Sequence, residues 1–177
     1  MDGELAQLME FLSRTPFFGG VDDGALDHLA RLLVARDVAV GEAVFREHEH
    51  GRSMFIVQRG EVVALHHPDA GAGADAPPVK LMRFREGDFF GETTLIEMQP
   101  RPFSAVAEQP ARVLELKATH LYALYQRDVH AYVMVLQNIN RELCRRLRRA
   151  SLRVSHFASE LEDEETQIPD EFVVPRR

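Results

Sequence analysis

Residues 87–106 read Gly87-Asp88-Phe89-Phe90-Gly91-Glu92-Thr93-Thr94-Leu95-Ile96-Glu97-Met98-Gln99-Pro100-Arg101-Pro102-Phe103-Ser104-Ala105-Val106. A strand ends at Gly91 and is followed by a carboxylate, two threonines and an apolar pair able to start a short helix. Backbone N–H groups at such a turn lack partners and converge, which makes a nest for an anion. Arg101 follows, and its planar fork suits a phosphate bidentately. A carboxylate such as Glu92 accepts hydrogen bonds from sugar hydroxyls and repels phosphate. Together the two side chains suit a ligand that carries one negative phosphate and a free ribose hydroxyl.

The flanks are strand-like. Segments 34–40, 43–46, 53–59, 61–66, 79–84, 88–90, 103–108 and 112–117 are short and apolar, with Gly41, Gly51, Gly60 and Gly87 between them where positive φ is easiest for glycine. This is the spacing of a β-sandwich, roll or barrel. Residues 1–33 instead carry helical periodicity, broken at Thr15-Pro16-Phe17-Phe18-Gly19-Gly20, where the two aromatics are expected to dock on the next layer. Asp22 or Asp23 is the expected N-cap of the second helix. From 118 to 161 the chain turns helical again. Val129, Tyr132, Leu136, Ile139 and Leu143 step as a coiled-coil seam, continued by Leu147, Ala150, Val154, Phe157 and Leu161 with a stutter. The low-complexity run from Pro68 to Pro78 reads as a flexible excursion between strands, and 162–177 as an acidic, poorly ordered tail.

The 87–106 segment resembles the phosphate-binding cassette of the cyclic nucleotide-binding domain family, which runs Phe-Gly-Glu, small or apolar residues, then Pro-Arg. The resemblance extends to Gly41-Glu42, Phe45, Glu47, Gly51, Met54-Phe55-Ile56-Val57 and Gly60-Glu61-Val62, to Leu12 with Pro16-Phe17-Phe18, and to Asn140-Arg141-Glu142-Leu143-Cys144-Arg145-Arg146-Leu147. It implies an α+β fold: an eight-stranded antiparallel β-roll over 34–117, jelly-roll-like, flanked by N-terminal helices and a long C-terminal helix. It also implies a binding set of Phe90, Gly91, Glu92, Thr93, Thr94, Arg101, Pro102 and Ser104. Within that set Gly91 and Thr94 present backbone to the phosphate, Arg101 neutralises it, and Glu92 takes the ribose 2′-hydroxyl. Ser151 on the last helix is the candidate cap over the purine, and Leu95 and Ile96, beneath the cassette, would pass its closure to the helices at 118–155. The resemblance is to a stand-alone bacterial member, similar to the sensor domain of catabolite-activator-type regulators.

Three positions depart from the family pattern. Pro102 has no N–H to offer the phosphate. Phe103 is bulky where a small residue is usual, and His48 replaces a glycine. The side-chain hydroxyl that favours guanine is absent at Pro102, which tilts the expected ligand to cAMP over cGMP.

Composition narrows the remaining classes. Against 21 basic residues stand 28 acidic ones, a net charge of −7 that disfavours a global grip on nucleic acid. The lone Cys144 cannot form an internal disulfide, which fits a reducing cytoplasm, and is expected to be a packed, inert thiol. No apolar run reaches the length of a membrane span, and no signal peptide follows Met1. The six arginines at 141, 145, 146, 148, 149 and 153 read as a solvated helix face. Glu47-His48-Glu49-His50 and His66-His67 read as exposed hairpin residues, because no zinc-site spacing supports metal. No catalytic constellation appears, so no enzyme activity, cofactor or metal is expected. Residues 162–177 are too short for a helix-turn-helix, so the expected output is a cytoplasmic sensor acting on an unknown protein partner. A homodimer through helix 128–161 is expected. The alternative is a degenerate pocket on a protein-interaction or scaffold module; nucleic-acid binding through the Arg-rich helix is a third, weaker reading.

Overall fold

The computed structural model describes residues 2–68 and 77–163. Most of the excursion expected at 68–78 and of the tail expected from 162 lies outside them. Two compact units divide at Ile139 and Asn140.

The first unit opens with α1 (Asp2–Arg14), a single 3₁₀ turn (Pro16–Phe18) and α2 (Asp23–Leu32). The Asp22 carboxylate accepts from Ala25 N at 3.0 Å and caps α2, as its position before the apolar run requires. Phe17 and Phe18 are buried, and the Phe17 ring meets Phe89 edge-on at 4.9 Å between centroids.

Eight strands follow among the described residues: β1 (Val34–Val38), β2 (Ala43–Phe45), β3 (Ser53–Arg59), β4 (Val62–His66), β5 (Val79–Phe84), β6 (Phe89–Phe90), β7 (Ser104–Ala107) and β8 (Ala111–Lys117). They form two four-stranded antiparallel sheets, ordered β1-β8-β3-β6 and β2-β7-β4-β5. One apolar cluster draws on every strand: Val38, Phe45, Phe55, Val57, Val62, Ala64, Phe84, Phe90, Ala105, Ala107 and Val113 belong to it. The period of two explains β3: Phe55 and Val57 enter this cluster, while Met54 and Ile56 project from the other face and are fully buried there. Buried on both faces, β3 reads as a continuous apolar run. The fold is the antiparallel β-roll with flanking helices that the sequence implies.

A short helix α3 (Glu92–Ile96) interrupts the strands, and α4 (Ala118–Arg127) follows β8. The final helix, α5, runs Val129–Asp163 and spans both units. In the first unit Val135 and Ile139 are wholly buried. Between them the Asn138 amide, 7% exposed, donates to the carbonyls of Phe17 and Gly19, each at 2.9 Å. Asn138→Leu removes the donor from these two carbonyls. It should destabilise the unit by about 2 kcal/mol, read as a lower urea midpoint at unchanged slope.

Within the second unit, α5 leaves Leu147, Leu152, Val154 and Phe157 exposed, while Glu142 gathers Arg145, Arg146 and Arg149 at 3.4, 3.2 and 3.0 Å. Two expectations change here. The single seam from Val129 to Leu161 divides: Ile139 is spent on its own unit, and Val135, off the seam, is buried with it, whereas Leu147, Val154 and Phe157 face solvent. The side chain of Leu161 lies outside the described residues. Cys144 is exposed rather than packed, because the described part of its unit is one helix with no layer of its own to pack against. No described helix is long and apolar enough to cross a membrane.

Candidate functional site

The site is built where β2, the start of β3 and α3 converge on Arg101. Gly91 ends β6 and caps α3 with φ at +79°, a left-handed conformation that glycine adopts without strain. A Cβ there would stand 2.5 Å from Arg101 Nη1, so space as well as dihedral demands glycine. Gly51 is explained by space alone: its φ is not positive, but a Cβ would stand 2.8 Å from Arg101 Nη2.

Arg101 is 3% exposed. Its Nη1 donates to Gly91 O at 3.0 Å and to Thr94 Oγ1 at 2.7 Å, and Nη2 donates to Ser53 Oγ at 3.3 Å. The guanidinium carbon lies 4.1 Å from the Phe45 ring centroid, a cation–π placement. Among the described residues no carboxylate forms an ion pair with it; Glu49, Glu115 and Glu92 act only from farther away. Burial pulls its pKa below the ordinary arginine value, and those three carboxylates oppose the shift. A guanidinium stays charged in a protein, so Arg101 is a buried cation that no carboxylate of the described residues pairs.

The backbone of Arg101 is fixed too. Its N–H donates to Glu49 O and its carbonyl accepts from His48 N–H, both at 2.9 Å. His48 pairs in this way from φ +66°, the left-handed region, which explains why a glycine suits that position.

The remaining expected residues fall as follows. Phe90 is buried in the roll core, Glu92 is 4% exposed in the first turn of α3, and Thr94 is fully buried with its hydroxyl donating to Gly91 O at 2.9 Å. Thr93 is half-buried and Pro102 exposed. Ser104 is buried on β7, and its hydroxyl accepts from Glu47 N–H at 2.9 Å. Ser151 belongs to the second unit, where its hydroxyl donates to Leu147 O at 3.0 Å. Phe103 packs its ring against Phe45 and Phe84, at 5.7 and 6.3 Å between centroids.

Two expectations require correction. Ile96 is 47% exposed and so does not lie beneath the cassette. A five-residue helix buries one side only, and Thr94 takes the inward place. Leu95 is half-buried and lines a cavity of about 400 Å³ with Arg52, Leu121, Tyr122, Tyr125 and Tyr132. Of the residues expected to be exposed at 47–50 and 66–67, His48, Glu49, His50 and His67 are, but Glu47 and His66 are only partly so. The Glu47 side chain is 6% exposed, with Oε1 2.6 Å from His66 Nδ1. Burial pushes the Glu47 carboxyl up, but hydrogen bonds from His67 N–H and both imidazoles outweigh it and hold the group below the usual carboxylate range. The described residues contain no group of His, Cys, Asp or Glu able to hold a metal ion.

Ser53, Gly51 and Phe45 join the site without having been singled out for it. Only contact with Arg101, 48 residues from Ser53, gives them their part.

Comparison with known proteins agrees with the fold. A potassium channel protein, so named, of Rhodopseudomonas palustris is 30% identical over 118 residues, 66% of this chain and 27% of its own. The cAMP-dependent protein kinase regulatory subunit of Neurospora crassa is 26% identical over 106 residues, 60% of this chain and 26% of its own. The chain thus spans about a quarter of the length of either relative. Among solved structures, the catabolite activator protein of Thermus thermophilus superposes with a TM-score of 0.68 at 25% identity, covering 81% of this chain and 63% of that one. Residues 35–128, more than half of the chain, match the cyclic nucleotide-binding domain. The chain belongs to the cyclic nucleotide-binding domain family.

Proposed function

We propose that the chain is a cyclic nucleotide sensor that favours cAMP over cGMP and passes binding to its C-terminal helix and to a protein partner. The observation that carries this reading is Arg101, a buried guanidinium with no ion-paired carboxylate among the described residues. Taking a cation out of water is expensive unless an anion meets it. A cyclic phosphate supplies that anion; Gly91 and Thr94, whose carbonyl and hydroxyl oxygens accept from Arg101 Nη1, lie next to the fork, and their backbone N–H groups are the proposed further donors to it. Glu92, buried in the first turn of α3, is the acceptor for the ribose 2′-hydroxyl. Ser151 is the candidate cap for the purine. Pro102 offers guanine no hydroxyl, which supports cAMP. No residue set for catalysis is proposed, and the site of action is the cytoplasm.

Transmission uses differential affinity: ligand favours the closed cassette, and closure moves Leu95 against the tyrosine-lined cavity at α4 and the start of α5. The exposed row Leu147, Val154 and Phe157 supports a homodimer along α5. Leu147→Asp with Val154→Asp should give a monomer by light scattering at tens of micromolar, where the wild type scatters as a dimer. Wild-type protein that scatters as a monomer there removes the dimer.

A second reading, a fold kept for protein contacts with no nucleotide, draws on Phe103, whose bulky, half-buried ring packs against Phe45 and Phe84 of the roll core two residues after Arg101. Titrating cAMP and cGMP into wild type and Phe103→Ala separates the two. The sensor reading expects cAMP to bind tighter than cGMP, and Phe103→Ala to bind at least as tightly as wild type. If neither protein binds either nucleotide at millimolar concentration, the second reading stands.

A further inference from the structure

Glu47, His66 and His67 form a cluster that none of the roles above uses. Glu47 follows β2, and the two histidines close β4 and begin the segment after it. A carboxylate only accepts hydrogen bonds, so His66 Nδ1, 2.6 Å from Oε1, is the protonated ring nitrogen. Oε2 accepts from His67 N–H at 3.0 Å, with His67 Nδ1 at 3.3 Å. The carboxylate is thus gripped on both oxygens, and the side chain that carries it is 6% exposed.

The backbone on the other side of this anchor touches the cassette at three successive residues. Glu47 N–H donates to Ser104 Oγ, His48 N–H to Arg101 O, and Glu49 O accepts from Arg101 N–H, each at 2.9 Å. The middle residue of the three, His48, sits at φ +66°, a left-handed conformation that strains a non-glycine residue. Such a turn holds only where its surroundings over-determine it. The surroundings are the Glu47 side chain tied to β4 on one flank and the segment 101–104 on the other.

We propose that Glu47, clamped by His66 and His67, is a positioning residue for the cassette arginine: it anchors the strained turn at His48 and thereby fixes the backbone from which Arg101 reaches its ligand. The ligand half of this inference rests on the cyclic nucleotide reading; the anchoring half does not. It also gives a reason for a histidine to be tolerated at 48, since a turn pinned by a neighbouring carboxylate does not need glycine to hold its shape.

The test reads amide hydrogen exchange in the ligand-free protein and cAMP affinity side by side. In Glu47→Ala the amides of Arg101 and His48 should exchange at least about tenfold faster, while Val57 N–H, bonded to Asp88 O, keeps its protection. Affinity for cAMP should fall about tenfold, as for one lost charge-assisted hydrogen bond. Glu47→Gln, which keeps an acceptor for His67 N–H, should recover part of both. If Glu47→Ala does not fold, His66→Gln combined with His67→Gln loosens the same clamp from the other side and should speed the same two amides. Unchanged exchange at Arg101 overturns the proposal, and so does faster exchange with wild-type affinity. Wild-type protein that binds no cAMP at millimolar concentration sinks the nucleotide reading instead, and exchange at Arg101 then decides the anchor alone.

Discussion

Arg101→Ala is expected to weaken cAMP binding by at least about a hundredfold while the protein remains folded. Each charge-assisted hydrogen bond to a phosphate is worth about 1.5–3 kcal/mol, and a fork makes two, so the loss is about 3 kcal/mol or more. The effect on stability is smaller because two changes oppose one another. Truncation leaves Thr94 and Ser53 without a donor they now face and opens space over Phe45. It also removes a buried charge that no carboxylate among the described residues pairs, and with it a desolvation penalty. Arg101→Lys should fall between wild type and alanine, since an ammonium keeps the charge and loses the planar fork. A titration series over the three proteins, with a melting curve for each, checks the order. Equal affinity in wild type and Arg101→Ala would mean that the buried guanidinium serves the fold and not a ligand.

Gly60→Ala is expected to be the most damaging single-methyl change in the roll. Gly60 turns β3 into β4 at φ +81°, and a Cβ there would overlap the Pro110 carbonyl oxygen and stand 2.7 Å from Ala111 Cα. Those are backbone atoms at the start of β8 and cannot swing aside as a side chain would. Dihedral strain and overlap together should cost about 3 kcal/mol, or roughly a 10 °C fall in melting temperature. Gly41→Ala separates the two causes. Gly41 has nearly the same dihedral, φ +79°, but nothing within 4 Å of its would-be Cβ. It should lose only the strain, about 1 kcal/mol. Equal losses at the two sites would show that the contact with Pro110 is not what Gly60 protects.

The strands were legible because punctuation and period agree in this chain. Gly41, Gly60 and Gly87 all adopt positive φ between strands, and β8 alternates Val113, Glu115 and Lys117 with Leu114 and Leu116. The cassette was legible for a different reason: its residues are contiguous, so Gly91, Glu92, Thr94 and Arg101 can be read as one string. What stayed hidden is what distant segments do to one another. Ser53 meets Arg101 across 48 positions, and Glu47 meets His66 across 19. Nothing local to the members of either pair shows that they meet. Periodicity likewise finds an apolar face without saying what covers it. It gave Ile139 and Phe157 the same standing on α5, yet the first is wholly buried in its own unit and the second is 65% exposed. Ile96 and Cys144 were misplaced for the same reason, since an apolar or sulfur side chain on a helix is packed only where a neighbour exists.

Calorimetric titration of cAMP into the wild-type chain, with Arg101→Ala as the paired control, tests the central claim most directly. If the buried Arg101 guanidinium holds a ligand phosphate, saturable heat with one site per chain is expected in the wild type, and none at the same concentrations in a folded Arg101→Ala. Folded wild-type protein that gives no heat up to millimolar cAMP, or an alanine variant that binds as the wild type does, would contradict it.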